Sequence, residues 1–290
     1  MNTHIESRHD TAIEAGYLAK IEQTAVELAN LAGAEIKTAL GGMLSVRYKA
    51  GSEAEGIWQD PVSETDHRIE ELIRARLAKS FPEHDVIGEE LDERPARDND
   101  FVWAVDPIDG TANFINGFPL FAATIGVLHR GRPVAGAIWC ATSHALRSGV
   151  YHASLGGAPC FNGEAVAPQQ NPLVRRHLAG VPGGQSNKGG WEMRTTGSAA
   201  IECAFVGAGL LEAAHFERPN IWDVAGGVAL VLAAGGRVMV AGGEGWTPLE
   251  RFEAPDRGEG APDLRHWRRS LILGRVDGDT MVSGLGQPLL

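Results

Sequence analysis

One stretch constrains this chain more than any other: "FVWAVDPIDGTANFINGFP", residues 101–119. Residues 101–105 have the composition of a buried strand, and the run ends in Asp106 and Asp109 with Pro107 between them. Proline fixes its own φ and pushes the preceding residue toward extended backbone, so Asp106 is expected to close the strand. Asp109-Gly110 then turns the chain, and Thr111 opens a helix. Any fold that accepts this leaves two carboxylates, and the N–H groups of Gly110 and Thr111, at the end of a buried element. The carboxylates suit a hard divalent cation and the N–H groups suit a phosphate. The plain alternative is a solvated Asp-Gly turn in which Asp109 caps the helix.

The rest of the chain supplies the frame. Residues 11–40 carry Ala, Leu, Ile and Glu at helical spacing and predict one long amphipathic helix. "KAGSEAEGIWQDP", residues 49–61, reads as loop. "SETDHRIEELIRARLAKSFPEH" predicts a second helix, capped at Thr65 or Asp66, with Ile69, Leu72, Ile73 and Leu77 apolar and Pro82 as its stop. "DVIGEE" is a short strand. "LFAATIGVLH", "RPVAGAIWCA" and "ALRSGVYHA" form an antiparallel meander, followed by a hairpin in "GGAPCFNGEAV". The second half alternates. "HLAGVPG", "LLEAAHF", "RVMVAG" and "RSLILGR" are strands; "GSAAIECAFVGAG" and "IWDVAGGVALVLAAGG" are helices. Residues 251–267, charged and rich in Pro and Gly, read as a surface loop. The class is α+β: an N-terminal half, residues 1–165, with an antiparallel sheet, and an alternating α/β half, residues 166–290. At 290 residues the chain can build that core without staples, and the halves share one cleft as one catalytic unit.

Other acids stand at comparable places. Glu89 and Glu90 end the strand in "IGEE", Asp223 starts the helix in "IWDVAGG", and Asp60 and Asp66 precede the second helix. Each alone reads as a solvated or capping acid. Together they put acidic termini on four apolar elements, and crowded carboxylates repel unless a cation neutralises them. If the elements converge, the site is a carboxylate cage for Mg²⁺ or Mn²⁺. None of the 10 histidines forms an HxxxH or HxH pair, and Cys140, Cys160 and Cys203 show neither a disulfide framework nor a zinc spacing. No GxSxG, Walker A or GxGxxG pattern occurs. A net charge of −11 disfavours nucleic acid and anionic membrane as partners. There is no apolar run long enough for a membrane helix, and the polar start "MNTHIESRHD" lacks a secretory signal, so a cytoplasmic protein is expected.

"IGEE", "WAVDPIDGTANFINGFP", "GSAA" and "WDVAGG", in that order, resemble the inositol monophosphatase family of Mg²⁺-dependent, Li⁺-sensitive phosphomonoesterases. The likeness runs from about residue 60 to residue 236 and more loosely beyond. It implies a layered αβαβα sandwich of the sugar phosphatase type, a homodimer, and two or three Mg²⁺ ions for which Mn²⁺ can substitute. By the same resemblance Glu89, Asp106, the carbonyl of Ile108, Asp109 and Asp223 are metal ligands, with Asp66 as an outer acid. Glu89 and Thr111 hold and activate the attacking water. Gly110 and Thr111 bind phosphate, Gly197, Ser198 and Ala199 line the substrate pocket, and Glu217 takes a substrate hydroxyl. The implied substrate is a small phosphorylated polyol such as inositol monophosphate. Rivals within the fold are a histidinol-phosphate phosphatase, a nucleotide 3′-phosphatase and a fructose-1,6-bisphosphatase. From another class, the rival is a metal-binding interaction protein, against which the intact acids weigh. The chain departs from the family in four places. The lysine usual just before the position of Asp60 is missing, the nearest being Lys49. Glu217 is one residue closer to Asp223, Ala234 replaces a glutamate before the late Gly-Gly, and "DGDTMVSGLGQPLL" is too glycine-rich for the usual closing helix. On an extended segment only one of Glu89 and Glu90 can face the cleft, and the resemblance assigns it to Glu89.

Overall fold

Successive strand residues face opposite ways, and β2 (Phe101–Asp109) thereby serves two cores. Trp103 and Val105 turn to one, Val102 and Ala104 to the other. The computed structural model, which describes residues 13–45, 61–92, 99–166, 177–183, 190–243, 245–255 and 263–286, builds five layers around that division. The first sheet has seven strands in chain order. β1 (Asp85–Gly88) is parallel to β2, and β3 (Ala122–His129), β4 (Arg132–Cys140), β5 (Gly149–Ser154), β6 (Cys160–Phe161) and β7 (Glu164–Ala165) continue antiparallel. Helices α1 (Ala15–Ser45) and α2 (Pro61–Ser80) cover one face with Ile21, Leu28, Ile36, Ile69, Ile73 and Leu77. On the other face lie α4 (Ala199–Gly207) and α5 (Ile221–Ala233), the middle layer.

The second sheet follows, in the order β12 (Gly245–Pro248), β11 (Arg237–Gly242), β13 (Leu271–Gly274), β10 (Ala213–Phe216), β8 (Leu178–Gly180), β9 (Glu192–Arg194). α6 (Gly278–Leu285) closes its outer side, setting Met281 and Leu285 against Trp191 and Ile272. This is the αβαβα sandwich expected. The short α3 (Thr111–Ile115) follows β2 directly. The middle layer sits unusually deep. Gly126 and Gly136 are cross-strand partners, and a Cβ on Gly136 would lie 2.1 Å from the carbonyl oxygen of Gly226. Backbone therefore rests on backbone where α5 crosses β3 and β4.

Several expectations change. β2 does not stop at Asp106; it runs through Pro107 to Asp109, with irregular pairing to β3 between the two aspartates. A bulge is where a strand tolerates a residue without an N–H. Gly110, not Asp109, stands at the N-cap of α3, with no side-chain cap bond. α2 begins at Pro61, because proline suits a first turn, so Thr65 and Asp66 lie inside the helix rather than at its cap. Glu89 and Glu90 form a bend after β1, not an extended pair. Residues 251–267 are not all surface: Phe252 and Trp267 are 2% and 1% exposed and meet edge to face at 4.8 Å. The closing helix does form, as α6. Asp277 caps it by accepting from the amide of Thr280 at 2.9 Å, and the bare Cα of Gly284 admits the Trp191 ring. The edge strands β9 and β12 were not expected. Lys49 and Asp60, with the loop reading for their segment, lie outside the described residues. Among the described residues no helix is long and apolar enough to cross a membrane.

Candidate active site

β1 and β2 run side by side with Gly88 opposite Val105, so Glu89, just past the end of β1, lies beside Asp106, which is still paired with Thr124 of β3. The bulge brings Asp109 round to the middle layer, and α5 delivers Asp223 to the same place. Asp109 Oδ2 accepts from the Ser198 hydroxyl and from the amide of Ala200 at 2.7 Å. Asp223 is the third residue of a capping box: its Oδ2 accepts from the amide of Asn220 at 2.8 Å. The helix-cap reading of Asp223 is therefore correct, and the residue still faces the other acids. Asp66 projects from the second turn of α2 and is 6% exposed.

The carboxylates feel one another. Burial pushes Asp106 well above its ordinary range, and Asp109, Glu89, Asp223 and Asp66 each add repulsion. Burial lifts Asp109 to about 6 against the hydrogen bonds it accepts from Ser198, Ala200 and Ala199. Asp223 rises to about 7, first by burial and then by the charge of Asp109. Glu89 is raised by burial, then by Glu90, Asp109 and Glu70, and it reaches hydrogen-bonding range of Asp106. Glu89 nevertheless keeps solvent contact. A cleft residue does both, because water reaches its tip while protein fills most of the space around it.

Such repulsion is relieved by protons or by a cation. The donors are all hard oxygens, and Asp106 Oδ1 is buried with no hydrogen-bond partner. Among the described residues no three His, Cys, Asp or Glu side chains close on one point tightly enough to grip an ion alone. That is no obstacle for Mg²⁺, which keeps several waters and takes one or two carboxylates. The residues fit a hydrated hard cation and do not form a zinc cage.

Around the acids stand groups for an anion. Ile108 has its side chain 1% exposed in the core, while its carbonyl accepts from Thr111 Oγ1 at 3.1 Å. Gly110 has φ +86°, and a Cβ there would press at 3.1 Å on Leu120 O and Ser198 Cβ; glycine keeps this backbone approachable. Gly197, Ser198 and Ala199 lead into a cavity of about 440 Å³, also lined by Glu202, His215 and Glu217. Glu217 is exposed at its rim. Burial lifts Glu202 to about 8, opposed by hydrogen bonds from Thr196, and lowers His215 to about 4.

Sequence reasoning missed the residues that hold Glu89 in place. Glu70, fully buried, accepts from the amides of Glu90 (2.8 Å) and Leu91 (3.2 Å) and pairs with Arg74 at 2.7 Å. Arg74 also donates to Leu91 O at 2.8 Å. The usable signal was the spacing Asp66, Glu70, Ile73, Leu77, which puts both acids on the inward stripe of α2.

The sequence model of the inositol monophosphatase family matches residues 17–265. The chain is 34% identical over 234 residues to the probable inositol 1-monophosphatase ImpA of Mycobacterium tuberculosis, covering 74% of this chain and 84% of that protein. It is 30% identical over 257 residues to the chloroplastic phosphatase IMPL1 of Arabidopsis thaliana, covering 82% and 67%. Among solved structures it resembles the inositol monophosphatase of Anabaena with a TM-score of 0.68 at 22% identity, covering 92% of this chain and 96% of that one, a likeness of fold.

Proposed function

The chain belongs to the inositol monophosphatase family and is thereby a phosphatase of phosphate monoesters, and on that premise we propose that it hydrolyses a small polyol phosphate with the help of two Mg²⁺ ions. The observation that carries this reading is the repelling carboxylate cluster at the end of β2, directly beside Gly110 and Thr111. Asp106, Asp109, Asp223, Glu89 and the Ile108 carbonyl would hold the ions, with Asp66 as the outer acid. Bound Mg²⁺ would supply Lewis-acid polarisation of the phosphate and a more acidic water.

The chain's own residues do the rest. Gly110 and Thr111 offer amides to the phosphate oxygens. Glu89, poised at the solvent side, takes the proton of the attacking water, and Thr111 Oγ1 orients that water. Ser198 and the amides of Ala199 and Ala200 fix Asp109 so that it does not swing as charge develops. Both halves of the chain contribute, residues 1–165 most of the acids and residues 166–290 Asp223 and the pocket, as one catalytic unit. The pocket favours a polyol. It brings the carboxyls of Glu202 and Glu217 to bear, and among its described residues only His215 and Phe216 could stack on a base. We take the enzyme to work as a homodimer in a reducing cytoplasm, where free Cys140, Cys160 and Cys203 are at home.

A panel of phosphate esters tests the proposal, with phosphate release measured after EDTA treatment and after return of Mg²⁺ or Mn²⁺. Polyol monophosphates should be the best substrates, only with the cation. A clear preference for nucleotide 3′-phosphates, histidinol phosphate or a bisphosphate would move the chain to the matching rival. Full activity without divalent cation would end the metal reading.

A further inference from the structure

Residues 263–267 have no part in the mechanism above, yet they reach the acid cluster from the far end of the chain. Leu264–His266 form one 3₁₀ turn, capped where Asp263 Oδ1 accepts from the amide of Arg265 at 2.9 Å. Trp267, buried against Phe252, anchors the turn from behind. From this base the Arg265 guanidinium donates to Leu91 O at 2.8 Å and to Glu89 O at 3.0 Å. Its Cζ also lies 5.3 Å from the ring centre of Trp222, the residue before Asp223. One planar cation thus touches both the bend that carries Glu89 and the helix start that carries Asp223.

We propose that Arg265 is a positioning residue: its fork sets the spacing between Glu89 and Asp223, and so the geometry of the site that receives the divalent ion. The inference rests on the reading of these two acids as metal-holding. Arg74 and Glu70 already tie the Glu89 bend to α2, but neither links it to α5. Arg265 does, because guanidinium can donate in its plane and stack on a ring at once, which an ammonium cannot. Its charge is the wrong sign for a cation site. A positive group beside bound Mg²⁺ opposes binding by Coulomb repulsion, so whatever Arg265 contributes to metal affinity comes through geometry.

That conflict of signs makes the test sharp. Mn²⁺ binding to EDTA-stripped protein would be measured calorimetrically for wild type, Arg265→Lys and Arg265→Gln, well below each melting temperature. Arg265→Lys keeps the charge and loses the fork; Arg265→Gln loses the charge and keeps one short donor. Positioning predicts that both bind Mn²⁺ about tenfold more weakly, on the scale of one charge-assisted hydrogen bond. Unchanged affinity in Arg265→Lys, or tighter binding in Arg265→Gln, overturns the inference and leaves Arg265 acting by charge alone. Thermal unfolding in EDTA shows which variant folds, and either one decides. A wild type that binds no Mn²⁺ overturns the metal reading itself, and the inference with it.

Discussion

Glu89 and Glu90 are the same residue type one position apart, and the fold uses them differently. The Glu89 side chain reaches Asp106, whereas Glu90 contributes its amide to Glu70 and has its carboxyl repelled by Glu70 and attracted by His67 and Arg265. Replacing Glu89 by Gln keeps size but removes charge and base, a loss of about 10²–10⁴-fold in kcat for a general base. Glu90→Gln should stay within a few fold, since its backbone contact survives. Steady-state rates of both folded variants at saturating Mg²⁺ check this, and equal losses would mean that both acids act. Glu89, Asp106, Asp109 and Asp223 were legible in the sequence because they stand where apolar runs end or begin and charge is conspicuous, whereas Asp66, inside α2, was picked out by the family resemblance. Glu70, Arg74 and Arg265 were not. Glu70 and Arg74 look like an ordinary surface pair at i, i+4, and Arg265 sits in a stretch that reads as loop; only tertiary packing buries what they hold.

At the scale of elements, α4 links pocket to acids. Its N-cap Ser198 donates to Asp109, and its buried Glu202 accepts from the amide (3.2 Å) and hydroxyl (2.8 Å) of Thr196, just before the pocket loop. The folded pKa of Glu202, about 8, lies above that of an unfolded glutamate. The unfolded chain therefore releases this proton first, and stability falls as pH rises from about 4.5 toward 8. Glu202→Gln removes the ionisation and can keep the Thr196 bonds. Urea unfolding of metal-free protein should find the variant more stable than wild type at about pH 8, by something on the order of 3 kcal/mol, and little changed at about pH 5. The same advantage at both pH values would show that burial of charge is not the cause. Long elements such as α1, α5 and the β3–β5 meander were readable because their apolar runs are long and bounded by turn residues. β9 and β12 are edge strands with little buried surface and no apolar run to mark them, and α6 hides behind glycines whose use, as with Gly284 under Trp191, appears only in packing. At Pro107 a local rule, that proline ends strands, gave way to a bulge the sheet could supply.

For the whole molecule, the five layers exist at the expense of one destabilised point. The glycine contact sets α5 backbone against the first sheet, and Asp106 meets four like charges in the fold's interior. Without a cation this must weaken the folded state, because a carboxyl whose folded pKa is raised loses stability as pH rises above its unfolded value. A bound cation reverses the effect by mass action, adding about 2.7 kcal/mol at a hundredfold excess over Kd. At about 2–4 °C per kcal/mol for a large domain, that is a rise of roughly 5–10 °C in Tm. Asp106→Asn separates the two contributions. Measured at about pH 8, where His84 and His215, both lowered to about 4, are neutral folded or unfolded, the variant in EDTA should melt several degrees above wild type. It should then show almost none of the Mg²⁺-induced rise. Wild type and variant would thus exchange rank when Mg²⁺ is added, the mark of a residue kept for function against stability. Equal melting in EDTA would mean that the cluster carries no strain, and a full Mg²⁺ shift in Asp106→Asn would remove Asp106 from the set that holds the ion.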